Sequence, residues 1–232
     1  MSAGASALLS PAASSASPAA LPAVRYELVD PADPMQVAWL ADLLAAGRAD
    51  LYGQDEADLA LLPTLTRTWM PRRAQRRIRA PGTNRKRSVS AAIDLATGAL
   101  LWRTDDTRCA DQFCALVDAC VARSAARGCL AALLVDNAQA HRVGKTGIVR
   151  RWLTAQAGRV VLVFLPAYSP DLQPAERLWR QWRPNVTHNH TRSTLPELET
   201  DSDRWLRRMA AAPLTVLRAL GSPINQPIGL AA

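Results

Sequence analysis

Three acidic residues stand where carboxylates could hold metal ions. Asp55 ends the first predicted strand, Asp136 ends the fourth, and Glu176 lies in the first turn of the helix after the fifth. If the first and fourth strands are neighbours, the three carboxylates converge at one edge of a sheet. Mg²⁺ prefers such oxygen ligands, and two ions about 3.5 to 4 Å apart can promote an in-line displacement at phosphorus. The pattern therefore predicts metal-dependent phosphoryl transfer.

Hydrophobic periodicity predicts the elements that position these acids. A Thr97-Gly98 turn between two apolar segments indicates a hairpin, and two unbroken apolar runs indicate buried parallel strands joined through a helix. The predicted strands cover 49–54, 88–93, 99–103, 130–135 and 160–165. The predicted helices cover 35–46, 111–127, 148–157 and a segment that opens near Pro174. This order is typical of an α/β fold: a mixed sheet of three antiparallel strands plus two parallel strands, with helices on both faces.

Composition restricts the class of protein. The chain is 49% hydrophobic and 21% charged, as in ordinary globular proteins. No apolar run is long enough to cross a bilayer, and the four cysteines lack zinc-site or disulfide spacing. We therefore expect a cytoplasmic protein with no membrane partner. We divide it into a disordered Ala/Ser/Pro-rich tail (1–24), a short helical lead-in (25–48), one catalytic domain (49–210) and a C-terminal tail (211–232).

Basic residues concentrate between the first two strands. The chain has 28 basic and 20 acidic residues, a formal net charge of +8, yet residues 67–87 include no acid. Such a run predicts a surface that follows a nucleic-acid backbone, and a solvated loop is the alternative. Trp69 within the run could stack on a base, but a lone Trp is more often a core residue. The basic residues are Arg67, Arg72, Arg73, Arg76, Arg77, Arg79, Arg85, Lys86 and Arg87.

Four blocks of sequence are distinctive. They are QDEADLALLPTLTRTWMPR (54–72), SAAIDLATGAL (90–100), LLVDNAQAH (133–141) and FLPAYSPDLQPAERLWRQWR (164–183). In these blocks the chain resembles the DDE superfamily of transposases and endonucleases, specifically the mariner-related bacterial insertion-sequence transposases. The resemblance covers roughly residues 52–189, and the last two blocks are highly specific as a pair.

The resemblance implies a ribonuclease H-like catalytic domain that cleaves DNA and transfers strands with two Mg²⁺ or Mn²⁺ ions. It makes Asp55, Asp136 and Glu176 the catalytic residues and metal ligands. It also makes Asn137 and His141 supporting residues beside the metals, where an amide or imidazole can orient a carboxylate. A core histidine is the alternative for His141. The implied partners are DNA and a second copy of the chain, at the bacterial nucleoid.

Two local features compete with this interpretation. Asp94 is a rival for the first acid, although it lies at a hairpin turn, where aspartate is favoured for its turn chemistry. Residues 55–58 spell DEAD, which suggests a helicase. No G-x-x-x-x-G-K-[ST] phosphate loop accompanies that motif, so we exclude a helicase.

Functions from other classes of protein remain as alternative hypotheses. Transposases of this family ordinarily carry a helix-turn-helix region ahead of the catalytic domain, and here only the tail and one helix precede the first acid. A separately encoded recognition protein, a truncated gene and a misplaced start codon all remain open. The chain could accordingly be an inactive remnant or an accessory DNA-binding protein. A nuclease of the same fold that cuts RNA in hybrids or branched DNA is the third hypothesis.

Overall fold

The computed structural model describes residues 23, 25–74, 77–138, 141, 143–144, 147–156, 158–166 and 172–221. Its strands are β1 (Leu28–Val29), β2 (Ala49–Ala60), β3 (Lys86–Asp94), β4 (Leu100–Asp105), β5 (Leu130–Val135) and β6 (Val160–Phe164). Its helices are α1 (Pro34–Ala45), α2 (Ala110–Ala125), α3 (Ile148–Ala155), α4 (Pro174–Val186), α5 (Leu195–Ala210) and α6 (Pro213–Ala219). Within this part of the chain, no helix has the length and apolar character required to cross a membrane.

The strands form one mixed sheet in the order β1-β6-β5-β2-β3-β4. Strands β1, β6, β5 and β2 are parallel, whereas β3 is antiparallel to both of its neighbours, β2 and β4. Every residue of β5 is buried, as expected for a parallel strand that is covered on both faces. The predicted α/β fold class is confirmed, including the three antiparallel strands. The first and fourth predicted strands are neighbours, which is the condition for the acids to converge.

Helices cover both faces of the sheet. On one face, α4, α5 and α6 pack over β2, β3 and β4, and α1 packs over β2, β5 and β6. On the other face, α2 and α3 pack over the centre of the sheet. Trp179 and Trp182 of α4 are fully buried, with ring centroids 5.5 Å apart in an edge-on arrangement. Large aromatic side chains therefore fix the position of the helix that carries Glu176.

The turn between β3 and β4 forms as the sequence predicts. Asp94 accepts hydrogen bonds at Oδ1 from the backbone N–H groups of Ala96 and Thr97, both at 3.0 Å. Gly98 then adopts a φ of +74°, which only glycine adopts without strain. Its Cα lies directly against α6, so that a Cβ there would collide with the Pro213 carbonyl oxygen.

Several elements differ from the sequence prediction. Strand β2 does not end at Asp55 but continues to Ala60, because β3 pairs with it as far as Lys86 opposite Ala60. The two-residue strand β1 is too short to show a periodicity and was not predicted. Helices α5 and α6 were also missed. Helix α6 lies in the segment predicted as a C-terminal tail and buries Val216 and Leu217.

Candidate active site

Asp55 and Asp136 lie together at the carboxyl end of the central parallel ladder. The last recorded pair between β2 and β5 joins Gly53 to Leu134. Two residues further along, in the same register, come Asp55 on β2 and Asp136 just after β5. Because both strands run in the same direction, their carboxyl ends bring these two acids to the same edge of the sheet.

Two contacts hold the start of α4, which carries Glu176, against β2. Gln173, the residue before the helix, donates from Nε2 to the Gln54 carbonyl oxygen at 2.8 Å. Gly53 faces the ring of Pro174, and a Cβ added at Gly53 would lie 3.4 Å from three of the ring's atoms. Glu176 in the first turn of α4 is therefore held close to Asp55.

Burial and the neighbouring acids both affect the pKa of Asp55. Burial raises the pKa of this carboxyl to about 7, from an ordinary value near 3.8. A hydrogen bond from the Glu56 backbone opposes the rise, and the negative charges of Asp136, Glu176 and Glu56 add to it. An ionised Asp55 is therefore repelled by its neighbours, and a cation between them would relieve this repulsion.

Asp136 and Glu176 are each held by a cationic side chain. Asp136 accepts at Oδ1 from the Ala138 N–H at 3.0 Å and from His141 Nδ1 at 2.7 Å. The hydrogen bond from His141 is the largest cause of its lowered pKa. Glu176 makes a two-pronged ion pair with Arg183, at 2.8 and 3.3 Å. Among the described residues, no three His, Cys, Asp or Glu side chains are already gathered around one metal position.

His141 is a buried bridge between two carboxylates. Its side chain is 1% exposed, its ring lies 4.4 Å from the ring of Phe113, and its Nε2 lies 2.9 Å from Glu56 Oε1. Burial on its own lowers the pKa of His141. The hydrogen bonds to Asp136 and Glu56 more than offset this and raise the pKa to about 9. The ring is therefore a cation at neutral pH.

Asn137 and Asp94 are positioned differently from His141. Asn137 is exposed, and its Nδ2 donates to the Leu165 carbonyl oxygen at 2.6 Å, which ties the end of β5 to the end of β6. Asp94 is fully buried, and its second oxygen lies 3.5 Å from Arg127, beyond the end of α2. The rival first acid thus faces α2, whereas Asp55 lies on the side of α4.

A long connection, here called the basic arm, joins β2 to β3 and comprises 61–74 and 77–85 in the described chain. Its Trp69 is fully exposed, so the expectation of a core residue was wrong. Asn189 anchors the arm through hydrogen bonds at 3.0 Å to the N–H, carbonyl and hydroxyl of Thr66. A cleft of about 670 Å³ lies along it, lined by Leu65, Thr66, Arg67, Thr68, Trp69, Met70, Ile78 and Asn189.

The predicted basic residues fall into two groups. Lys86 and Arg87 belong to β3 and form ion pairs, Lys86 with Asp58 at 3.2 Å and Arg87 with Glu199 and Asp106. Arg76 lies outside the described residues. The others are exposed on the basic arm, namely Arg67, Arg72, Arg73, Arg77, Arg79 and Arg85.

The fold, the arrangement of the acids and the sequence blocks agree with one protein family. Residues 50–199 match the family described as DDE superfamily endonuclease, and the chain belongs to this family. The family predicted from the four sequence blocks is thereby confirmed. Among curated proteins, the chain is similar to the insertion element IS630 uncharacterized 39 kDa protein of Shigella sonnei, with 28% identity over 148 residues. The match covers 64% of this chain and 42% of that protein.

Solved structures of the Mos1 mariner system share the fold. The Mos1 mariner paired end complex with Mn has a TM-score of 0.56 and 16% identity, and the match covers 80% of this chain and 56% of that one. The Mos1 Strand Transfer Complex has a TM-score of 0.54 and 17% identity, with coverage of 80% and 55%. At these identities the similarity establishes the fold alone. The chain spans little more than half of these proteins.

Proposed function

We propose that this chain is the catalytic part of a DNA transposase, in which Asp55, Asp136 and Glu176 hold two Mg²⁺ or Mn²⁺ ions. The proposal goes beyond the family in naming the reaction: cleavage of DNA phosphodiester bonds followed by strand transfer. Similar proteins support it, because one related structure is a Mos1 transposase paired-end complex with left transposon end. Others are Mos1 complexes with Mn and with Mg.

The proposal is supported chiefly by the register of β2 and β5, which aligns Asp55 with Asp136, and by the hydrogen bond from Gln173 to Gln54, which holds the start of α4 against β2. A protein that places a half-buried carboxylate beside Asp136 and Glu176 loses folding free energy, because ionised carboxylates repel one another. Bound divalent cations would remove that cost. The donor set consists of carboxylate oxygens, which Mg²⁺ and Mn²⁺ prefer. The residues present therefore fit the proposed ions.

Asp136 and Glu176 would become metal ligands in different ways. Asp136 is oriented through Oδ1, so that its Oδ2 remains available to a cation. Glu176 would exchange its ion pair with Arg183 for a metal ligand role. When bound, the two ions would activate a water or 3′-hydroxyl nucleophile and stabilise the leaving oxygen of the phosphodiester.

The basic arm would supply the binding surface for DNA. Its exposed arginines suit phosphate oxygens, and the fully exposed Trp69 offers a face on which a base could stack. Such binding would weaken as salt rises, because counterions are released when phosphates are neutralised. We further propose that the working form is a homodimer on DNA.

The test is cleavage of labelled duplex DNA by the purified chain with Mg²⁺ or Mn²⁺. We expect nicking that disappears with EDTA and in Asp136→Ala, and that persists in Asp42→Ala, which removes an exposed acid on α1. Full activity in Asp136→Ala, or nicking that is insensitive to EDTA, would refute the assigned site.

A second candidate is an inactive, accessory DNA-binding protein. It is favoured by the ion pairs that occupy Asp136 and Glu176 and by the exposed basic arm. This candidate predicts salt-sensitive DNA binding with no nicking in any metal. Nicking that depends on Asp136 would exclude it.

A further inference from the structure

Glu56 follows Asp55 directly on β2 but faces the other side of the sheet. Successive side chains along a strand point to opposite faces, so Asp55 faces α4 while Glu56 faces α2. The side chain of Glu56 is only 9% exposed. A buried carboxylate needs partners to offset the loss of hydration, and the partners of Glu56 indicate what it does.

The partners of Glu56 form a chain that ends at Asp136. Glu56 Oε1 accepts from Gln54 Nε2 at 3.1 Å and from His141 Nε2 at 2.9 Å. The opposite nitrogen of the same ring, Nδ1, lies 2.7 Å from Asp136 Oδ1. Each ring nitrogen therefore lies within hydrogen-bond distance of one carboxylate oxygen. Glu56 is thus linked to Asp136 through a single imidazole ring.

The His141 ring is held firmly enough for Glu56 to influence the orientation of Asp136. It is buried, it contacts the ring of Phe113, and Glu56 fixes the nitrogen that faces away from Asp136. Asp136, by contrast, is 49% exposed and lies just beyond the end of β5. Its orientation therefore depends on the two donors to Oδ1, the Ala138 N–H and His141.

We propose that Glu56 is a positioning residue, which holds His141 so that Asp136 directs its Oδ2 toward the metal. This inference rests on the proposed function, because it presumes a metal at Asp136. A single dipeptide on β2 then serves the site from both faces of the sheet: Asp55 as a ligand, and Glu56 as the support of the opposing ligand. Partners of this kind beside metal ligands typically change metal affinity by about 10- to 100-fold.

Asp58 provides a matched control. It lies two residues along the same strand and carries the same charge as Glu56. Its contacts are Lys86 at 3.2 Å and Arg108 at 3.0 Å, with no bond to His141. Asp58→Asn therefore removes one nearby negative charge and leaves the hydrogen bonds that join Glu56, His141 and Asp136 in place. Arg108, which pairs with Asp58, also lies 4.0 Å from Glu56 Oε2 and remains in the variant.

The first measurement is the Mn²⁺ affinity of the purified full chain by isothermal titration calorimetry, with Asp136→Ala to identify the relevant site. We expect Glu56→Ala to weaken binding at this site by about tenfold or more. Glu56→Gln retains an oxygen that can accept from the ring, and should lose less. Asp58→Asn should remain within about twofold of wild type, because the Asp58 side chain is 44% exposed and solvent screens its charge.

A double-mutant cycle separates positioning from a direct charge effect. If Glu56 acts through the ring, Glu56→Ala should change Mn²⁺ affinity by less than about twofold once His141 is already alanine. A metal-free readout accompanies it: the resonance of the buried His141 Nδ1 proton in the NMR spectrum, identified by its absence in His141→Ala. This resonance should shift or broaden in Glu56→Ala, because the ring loses the partner at its opposite nitrogen, and should be retained in Glu56→Gln and Asp58→Asn.

Each contrary outcome has a defined meaning. Equal losses in Glu56→Ala and Asp58→Asn, a full Glu56→Ala effect in the His141→Ala background, or an unchanged proton resonance would overturn the inference. If Mn²⁺ binding depends on Asp136 but not on Glu56, the inference fails and the proposed function stands. If wild type shows no Mn²⁺ binding that depends on Asp136, the proposed metal site fails, and the inference fails with it.

Discussion

Replacing Asp55 by asparagine should stabilise the metal-free protein, and the gain should grow with pH. The wild-type carboxyl has its pKa raised to about 7 by burial and by neighbouring charges, against an ordinary value near 3.8. Below about pH 4, the group is protonated in both the folded and the unfolded chain, and no penalty exists. Between about pH 4 and 7, the unfolded chain ionises first, so the free energy of unfolding falls. Above pH 7, the full penalty is present.

The magnitude follows from the same pKa. A rise of this size corresponds to about 4 kcal/mol for a fully buried group. Asp55 is partly exposed, and solvent screening reduces the effect to roughly 2 kcal/mol. For a chain of this length, that difference raises Tm by about 4 to 8 °C. The gain should vanish as the pH falls toward about 4, because neither side chain is then charged.

The assay is thermal unfolding followed by circular dichroism in EDTA, from pH 4 to pH 8.5. Asp42→Asn, an exposed acid on α1, is the control and should show no comparable pH-dependent gain. Adding Mg²⁺ at pH 8 should stabilise wild type by ligand linkage and Asp55→Asn much less. An Asp55→Asn variant no more stable than wild type at pH 8, or equally more stable at pH 4 and pH 8, would refute the reasoning.

Three further changes test other parts of the structure. Gly98→Ala should destabilise the fold by about 3 kcal/mol or more, because the added Cβ meets the α6 backbone. Gly82 has a similar φ but lies in open space, so Gly82→Ala is the control and should lower the free energy of unfolding by less in the same melting experiment. Arg183→Ala should tighten Mn²⁺ binding by about fivefold in calorimetry, because Glu176 no longer exchanges an ion pair for the metal, and weaker binding would contradict this. Asn189→Ala removes three hydrogen bonds to the basic arm and should speed tryptic cleavage there several-fold. Unchanged cleavage would show that other contacts hold the arm.

The sequence predicts most of the central fold because local patterns report local environments. The unbroken apolar runs that became β5 and β6 could only be buried strands or helices, and their length favoured strands. The turn at Gly98 was predictable because aspartate favours turns, and Asp94 accepts hydrogen bonds there from the backbone of Ala96 and Thr97. Asp136 could be proposed because it follows one such run, and Asp55 and Glu176 because they lie in sequence blocks that resemble the DDE superfamily. Their roles remain predictions.

The sequence failed where an element depends on its neighbours. Strand β2 passes through two consecutive acids, a composition that indicated its end, because β3 continues to pair with it up to Lys86. Trp69 was expected in the core and is fully exposed, since it lies in a stretch of the basic arm, 64–74, that is exposed throughout. Strand β1 exists because β6 offers an open edge beside Leu28 and Val29.

By itself, the sequence determined the family, the order of the central elements and the three acids that the family pattern marks. Tertiary structure alone decided how those acids are held. Glu56 meets His141 across 85 residues of chain, and Gln173 meets the backbone of Gln54 across 119. Periodicity assigns a residue to a face of its own strand or helix, but it does not report which distant face lies opposite. The partners of each carboxylate therefore follow only from the packing of the sheet against its helices.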